Sequence, residues 1–144
     1  MTVLRRLDHV AVAVRDTDDA LHYFRDRLGL EVSRSEEIES PHVRLTYLDA
    51  GNAYIQLVEP LDRDADLAGW IDENGEGLHH ICFGVDDVLE AAEELAVDGA
   101  AATPGTGRGR VSAFVPGPPA HGVRIECTEF RRDEDVDATR GWLA

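Results

Sequence analysis

Four polar residues occupy matched positions in two similar halves of the sequence, and all four have side chains that can bind a metal ion. His9 lies in the segment LDHVAVAV, and His80 lies 71 residues later in the similar segment LHHICFGV. Gln56 lies in IQLVE, and Glu126 lies 70 residues later in IECTE. Because the two offsets nearly agree, we interpret the chain as a tandem duplication. Two imidazoles, a carboxylate and an amide oxygen suit a borderline divalent cation such as Co²⁺, Ni²⁺, Zn²⁺, Mn²⁺ or Fe²⁺.

Strand periodicity indicates which of these side chains can meet. Residues two apart in a strand share a face, so His9 is expected to point away from Asp8, and His80 to point with Cys82. A single histidine in a strand is more often a hydrogen-bonded structural residue than a ligand. Polar residues at all four matched positions of otherwise apolar strands favour a metal site instead. We interpret Cys82 as a small core side chain rather than as a ligand.

Three arginines on the segment that leads to Glu126 are candidates to meet an anionic substrate: Arg108, Arg110 and Arg124. Solvated surface arginine is the simpler interpretation of each. The choice matters because 29 acidic residues against 14 basic ones give a net charge of −15. An anionic substrate therefore depends on a local positive site, and the same charge disfavours nucleic acid and anionic membranes as partners.

Length and composition are those of a single globular domain. A chain of 144 residues can bury a sizeable core, and no apolar run approaches the roughly 20 residues that span a bilayer. The N-terminal residues lack the apolar segment of a signal peptide, so we expect a cytoplasmic protein. Cys82 and Cys127 do not make a disulfide framework, and we expect both to be reduced thiols in the core.

The hydrophobic patterns predict the element order βαβββ twice. The first copy has a strand over 5–14, a helix that begins at Asp16 or Thr17, and strands over 30–36, 42–49 and 53–59. The second copy has a strand over 78–85, a helix over 87–98, and strands near 100–103, 110–115 and 122–128. Two segments rich in glycine and proline, 104–109 and 116–119, are predicted as loops.

These elements predict an α+β fold made of two tandem βαβββ modules in one domain. The modules cover 5–60 and 77–129, with a linker over 61–76 that contains a short helix. The charged tail over 130–144 is expected to be mobile or to join the fold late. Each sheet needs its apolar face covered, so two pseudo-symmetric copies are expected to form an open barrel that lines a cleft.

Over residues 6–129 the chain resembles the vicinal oxygen chelate superfamily, which includes glyoxalases, bleomycin-resistance proteins and dioxygenases. The motifs that carry the resemblance are LDHVAVAV, ALHYFRDRLGL, IQLVEP, GEGLHHI and GVRIE. Within the superfamily, the tandem His79-His80 after Gly-Glu-Gly and the glutamine at Gln56 make the chain similar to the methylmalonyl-CoA epimerases. In glyoxalase I-like relatives a glutamate usually stands at the position of Gln56.

The resemblance implies a metal-dependent reaction and assigns roles to residues. By it, His9, His80 and Glu126 are metal ligands, and Gln56 is a further, exchangeable ligand that also faces the substrate. A divalent ion, Co²⁺ above the others, stabilises the enolate formed when the α-proton of an acyl-CoA is removed, and Glu126 is a candidate acid–base group. Arg108 and Arg110 are the candidate substrate contacts. A homodimer is also expected.

Two departures from the epimerase pattern keep other functions open. Leu45, or Arg44 if the alignment slips by one residue, stands where some bacterial epimerases carry a glutamate credited with proton transfer. The segment 116–120 replaces their Pro-Lys-Ser loop. One alternative is a glyoxalase I-like lactoylglutathione lyase, which isomerises a thiol hemithioacetal with the help of a metal ion. The other is a non-catalytic protein of the same fold that binds a small molecule.

Overall fold

The computed structural model describes residues 3–135 and shows the expected repeat of elements. The first copy consists of β1 (Leu4–Ala13), α1 (Thr17–Leu21) with a π-helical continuation (His22–Arg27), β2 (Glu31–Glu39), β3 (His42–Asp49) and β4 (Tyr54–Pro60). Helix α2 (Asp66–Asn74) follows. The second copy consists of β5 (Gly77–Val85), α3 (Val88–Leu95), β6 (Pro104–Gly107), β7 (Arg110–Phe114) and β8 (Ile125–Glu129), before α4 (Arg132–Asp135). The α+β class and the two βαβββ modules are confirmed.

The strands have the same spatial order in both copies. The order is β2-β3-β4-β1 in the first copy and β6-β7-β8-β5 in the second. In each copy the three later strands pair as antiparallel neighbours, and the opening strand lies beside the last one. Two segments of different sequence that build the same strand order support the duplication inferred from the matched residues.

Contacts within the chain define two compact units that do not coincide with the two sequence copies. One unit holds the described residues up to His9 together with those from His80 onward, and the other holds Val10–His79. Strands β1 and β5 each contribute residues to both units. The division of one domain into modules 5–60 and 77–129 stays a prediction.

The unit Val10–His79 has two apolar clusters, one on each side of its strands. Asp16 is the N-cap of helix α1, and its side chain accepts a hydrogen bond of 2.9 Å from the backbone N–H of Asp19. Leu21 of this helix is buried in one of the clusters. That cluster consists of Val14, Leu21, Leu48 and Leu57, and the other of Ala11, Val43, Leu45, Tyr47 and Val58. The alternation of sides follows from the two-residue period of β3 and β4.

In the other unit, β8 lies between β5 and β7. It pairs in parallel with β5, with Cys82 opposite Glu126, and antiparallel with β7, with Phe114 opposite Glu126. The helix α3 covers one face of these strands, and its N-cap Asp87 accepts a hydrogen bond from the backbone N–H of Glu90. The buried core on that side consists of Val85, Val88, Ala91, Ala92, Ala113 and Cys127. Glu126, which neighbours Cys127, consequently points to the opposite face.

Two sequence predictions about the second copy need correction. The segment Pro104–Gly107 was predicted as a loop, but it forms strand β6, and the strand predicted near 100–103 is absent from that part of the described chain. Pairing with β7 outweighs the low strand propensity of glycine and proline, and Pro104 is tolerated because it begins an edge strand. Within the predicted tail, residues 132–135 form α4, residues 136–144 lie outside the described residues, and the mobility of the tail stays a prediction. No helix among residues 3–135 is long and apolar enough to cross a membrane.

Candidate metal centre

Three of the four matched side chains meet in one unit of the structure. His9 comes from β1, His80 from β5 and Glu126 from β8. Glu126 Oε1 lies 3.3 Å from His9 Nε2 and 3.2 Å from His80 Nε2, and the two imidazole rings are 5.5 Å apart in an edge-to-face arrangement. The parallel register explains the approach, because Cys82 lies opposite Glu126 and His80 shares the face of Cys82. The sequence prediction that these three residues converge agrees with this geometry.

The cluster is buried, and its charges support one another. His9 is 3% exposed and His80 7%. Burial alone raises the pKa of Glu126, but the adjacent His80 and His9 rings, which interact with its carboxylate, outweigh burial, so the pKa of this carboxyl is lowered below its usual range. Burial likewise lowers the pKa of His9, but Asp8 and Glu126 outweigh it and raise the pKa above the ordinary histidine value. The carboxylate is therefore held ionised beside both imidazoles.

Asp8 is a participant that the sequence did not indicate. Its Oδ2 atom lies 2.7 Å from His9 Nδ1, and it also accepts a hydrogen bond of 2.6 Å from Arg108 Nη2. Burial raises the pKa of Asp8, but His9 and Arg108 outweigh it and lower the pKa to about 2. The two-residue period placed Asp8 on the face opposite to His9. Contact is still made because Nδ1 is bonded to Cγ, close to the backbone, where the carboxylate of a neighbouring residue can reach it.

The arrangement fits a divalent metal ion. The three donor atoms of His9, His80 and Glu126 all lie within 4.8 Å of one another. Two ligands at about 2.1 Å from one ion, at octahedral to tetrahedral angles, are about 3.0–3.4 Å apart, and both measured Nε2–Oε1 distances lie in that range. An ionised carboxylate accepts hydrogen bonds only, so His9 donates its Nδ1–H to Asp8. A metal ion binding at Nε2 would displace the proton that this atom otherwise shares with Glu126.

Gln56 belongs to the other compact unit, so its place among the ligands stays a prediction. The side chain is buried, and its Nε2 atom donates a hydrogen bond of 2.9 Å to the hydroxyl oxygen of Tyr47, which pairs with it across β3 and β4. Its Oε1 atom is buried and accepts no hydrogen bond from a described residue. Tyr47 therefore fixes the amide so that its oxygen, the atom a metal prefers, is kept available.

Cys82 lies close enough to join the cluster but has the properties of a core side chain. Its Sγ atom groups with Asp8 and His9 within 4.8 Å, and the residue is fully buried. Burial, followed by the negative charges of Glu126 and Asp8, raises the pKa of the thiol well above its usual value. Cys127 pairs with Phe83 and so faces the other side of the sheet, and both cysteines are free thiols. This agrees with the expectation of reduced core cysteines.

The three candidate arginines have different surroundings. Arg108 is bound to Asp8, as described. Arg110 is 5% exposed and donates four hydrogen bonds, two to the carboxylate of Asp135, one to Glu134 and one to the backbone oxygen of Glu129. Both arginines predicted to contact substrate are thus engaged by carboxylates of the chain itself.

Arg124 is the arginine on the wall of the metal cluster that is open to solvent. It immediately precedes β8, and its guanidinium lies 5.9 Å from the centre of the Phe114 ring. Phe114 in turn packs edge-on against His80, with ring centres 5.0 Å apart. No carboxylate among the described side chains pairs with this guanidinium, which leaves it available to an anion.

Leu45, the residue predicted to replace a glutamate of the epimerase pattern, is a core side chain in this structure. It is buried in the cluster with Ala11 and Val58, and it pairs with Val58 across β3 and β4. The neighbouring Arg44 binds Asp18 through an ion pair of 3.1 Å. Neither the buried leucine nor the ion-paired arginine is placed to act as an acid–base group.

Comparison with known proteins finds epimerases and lyases among those similar to this chain. The chain is 34% identical over 112 residues to an ethylmalonyl-CoA/methylmalonyl-CoA epimerase of Cereibacter sphaeroides, covering 77% of this chain and 83% of that protein. It is 37% identical over 93 residues to the mitochondrial methylmalonyl-CoA epimerase of Homo sapiens, covering 64% of this chain and 53% of that protein. The chain thus spans about half the length of the human relative. A lactoylglutathione lyase of Haemophilus influenzae is 28% identical over 127 residues, covering 84% of this chain and 90% of that protein.

A solved structure and a sequence profile identify the superfamily to which the chain belongs. A variant of the methylmalonyl-CoA epimerase of Streptomyces coelicolor, in complex with 2-nitronate-propionyl-CoA, has a TM-score of 0.80 at 32% identity, covering 88% of this chain and 97% of that one. The sequence profile of the glyoxalase/bleomycin resistance protein/dioxygenase superfamily matches residues 8–114, which is most of the chain. With its repeated βαβββ fold, this chain belongs to the glyoxalase/bleomycin resistance protein/dioxygenase superfamily.

Proposed function

We propose that the chain is a metal-dependent epimerase that interconverts the epimers of methylmalonyl-CoA or of a closely related acyl-CoA. The observation that carries the proposal is the convergence of His9, His80 and Glu126 in a chain whose relatives include epimerases of this name. The donor set suits Co²⁺, Mn²⁺, Ni²⁺, Zn²⁺ or Fe²⁺, and we propose Co²⁺ as the first ion to test. Gln56 is proposed as a further ligand.

The chemistry follows from the acidity of a proton that lies between two carbonyl groups. A base removes the α-proton to give a planar enolate, and an acid returns a proton to the opposite face. A divalent ion in this site supplies the positive charge that stabilises the enolate oxygen. Burial of the cluster excludes water and strengthens that electrostatic effect.

The residues of the chain have separate tasks in this scheme. His9 is oriented by Asp8, and the proximity of Glu126 Oε1 to both imidazoles supports its proposed role as a ligand. The role of Glu126 as an acid–base group stays a prediction. Arg124 is proposed to attract the negative charge of the substrate, since the surface as a whole carries a net charge of −15 and repels anions.

An isotope-exchange experiment tests the function directly. A single epimer of methylmalonyl-CoA is incubated in deuterated water with the protein after loading with Co²⁺, and α-deuterium is followed by mass spectrometry. We expect exchange that needs both the metal and His80, with His80→Ala as the inactive control. Absence of exchange with Co²⁺ or Mn²⁺ demonstrably bound would refute the proposal. Turnover of the methylglyoxal–glutathione hemithioacetal instead would identify a lyase, and ligand binding without either reaction would identify a non-catalytic binder.

A further inference from the structure

Arg108 occupies a backbone position that does not favour an arginine. Strand β6 pairs Gly107 with Arg110 of β7, so Arg108 and Gly109 are the two central residues of the hairpin turn. Their φ angles are +55° and +69°. Positive φ at both central residues is the pattern of a type I′ turn, which favours asparagine, aspartate or glycine. A side chain with no function at this turn would be expected to be one of those smaller residues, and to point into solvent.

The side chain of Arg108 instead extends into the interior. Its exposed fraction is 9%, and its Nη2 atom donates to Asp8 Oδ2, 100 residues away in the sequence, at 2.6 Å. Asp8 is itself 1% exposed. A carboxylate buried to this degree is strongly destabilising without a cation and hydrogen bonds. The contact therefore accounts both for the burial of Asp8 and for the choice of residue in the turn.

Asp8 transmits this contact to the metal centre. The same oxygen atom, Oδ2, faces both Arg108 Nη2 and His9 Nδ1. The other ring nitrogen of His9, Nε2, lies 3.3 Å from Glu126 Oε1. A chain of direct contacts thus leads from the hairpin turn through the carboxylate and the imidazole to the proposed ligand atoms.

We propose that Arg108 is a positioning residue for the metal centre: through Asp8, it fixes the ring of His9 with Nδ1–H donated and Nε2 directed at the ion. This inference rests on the metal site of the proposed function. It differs from a substrate contact, the role predicted for Arg108 from the sequence, because it acts without substrate. Partners that orient a metal-bound histidine typically change metal affinity by about 10–100-fold when they are removed.

Arg110 is a matched control for the purely structural effects of losing Arg108. It lies in the same hairpin, is also buried, and is also paired with a carboxylate, but that carboxylate is Asp135 rather than Asp8. Replacing either arginine by methionine keeps the volume of the stem and removes the charge and the hydrogen bonds. Both variants should lose stability, whereas metal affinity should fall only for Arg108→Met.

The experiment measures Co²⁺ and Zn²⁺ dissociation constants by competition with a chelator, without substrate. We expect the dissociation constant to rise about 10–100-fold in Arg108→Met, to rise less in Arg108→Lys, and to stay at the wild-type value in Arg110→Met. Nitrogen-15 NMR of the Zn²⁺ form should show a slowly exchanging His9 Nδ1–H in the wild type and in Arg110→Met, and faster exchange in Arg108→Met.

Equal metal affinity and an unchanged His9 signal in the two methionine variants would overturn the positioning role while leaving the epimerase proposal intact. Conversely, the wild type and variants could show the expected differences in metal affinity and in the His9 signal while the metal-loaded wild type exchanges no α-proton. That result would refute only the proposed function. If Arg108→Met does not fold, the comparison of Arg108→Lys with wild type decides the question. An unchanged dissociation constant and Nδ1–H signal in that variant would then count against the proposal.

Discussion

Removing the guanidinium of Arg110 should destabilise the fold, because it leaves a buried carboxylate without its cation. Arg110 donates two hydrogen bonds of 2.9 and 3.0 Å to the carboxylate of Asp135, which is 3% exposed. A further hydrogen bond reaches the backbone oxygen of Glu129 on β8. The arginine therefore joins β7, β8 and α4 through its terminal nitrogens.

The loss of stability depends on the hydrogen bonds and hydration that the partners of Arg110 retain after its removal. Breaking a buried ion pair by removing one member costs about 3–5 kcal/mol. Asp135 retains a hydrogen bond of 2.7 Å from the backbone N–H of Arg131, and Glu134 is exposed enough to be hydrated again. We therefore expect Arg110→Met to lower the free energy of unfolding by about 2–4 kcal/mol, which leaves a folded protein if the total lies in the usual range of about 5–15 kcal/mol.

Urea unfolding at pH 7, followed by circular dichroism, measures this loss. The double variant Arg110→Met/Asp135→Leu removes the orphaned charge as well and should recover a large part of it. Arg5→Met, which breaks the exposed ion pair with Asp86, serves as the control and should leave the midpoint almost unchanged. The expectation would be contradicted if Arg110→Met lowered the free energy of unfolding by less than about 1 kcal/mol, or if the double variant were no more stable than the single one.

Three further predictions concern the metal, the substrate and the thiols. Co²⁺ should raise the melting temperature of the wild type, chelation should reverse the rise, and His80→Ala should show neither change, as measured by calorimetry and elemental analysis; an equal metal content in the variant would argue against the site. Arg124→Met should raise KM for an acyl-CoA several-fold with a smaller effect on kcat, whereas the exposed Arg27→Met should not; similar kinetics in the two variants would remove Arg124 from substrate binding. Cys82 and Cys127 should not react with a thiol reagent in the native state and should both react in urea; rapid native labelling would contradict their burial.

The duplicated positions could be predicted from the sequence because they depend only on strand periodicity and on a constant offset. His9, His80 and Glu126 needed no knowledge of rotamers or loops to be placed on one face. The contact between Asp8 and His9 could not be predicted that way, since neighbouring strand residues point to opposite faces and only the position of Nδ1 near the backbone allows it. The burial of the Arg108 side chain could not be predicted locally either, because its partner Asp8 lies 100 residues away in the sequence.

The C-terminal region shows a different limit of sequence reasoning. A run of arginines and acids after Phe130 has the composition of a solvated tail, and nothing local indicates that Asp135 is buried. Its burial results from Arg110, 25 residues earlier in the sequence. Strand β6 has the same origin, since its glycines acquire order from pairing with β7 and not from their own propensity. In both places a tertiary partner outweighs local preference.

The division of β1 between the two compact units limits how the chain can be divided into functional fragments. A gene fragment that encodes only residues 77–135 retains His80 and Glu126 but lacks His9 and Asp8, which are supplied by the opening strand of the other copy. Such a fragment carries two of the three converging ligands. Metal binding by it would therefore need the N-terminal strand added back in trans, as in fragment complementation. Although each sequence copy has its own complete set of four strands, neither copy by itself contains all the residues of the proposed metal site.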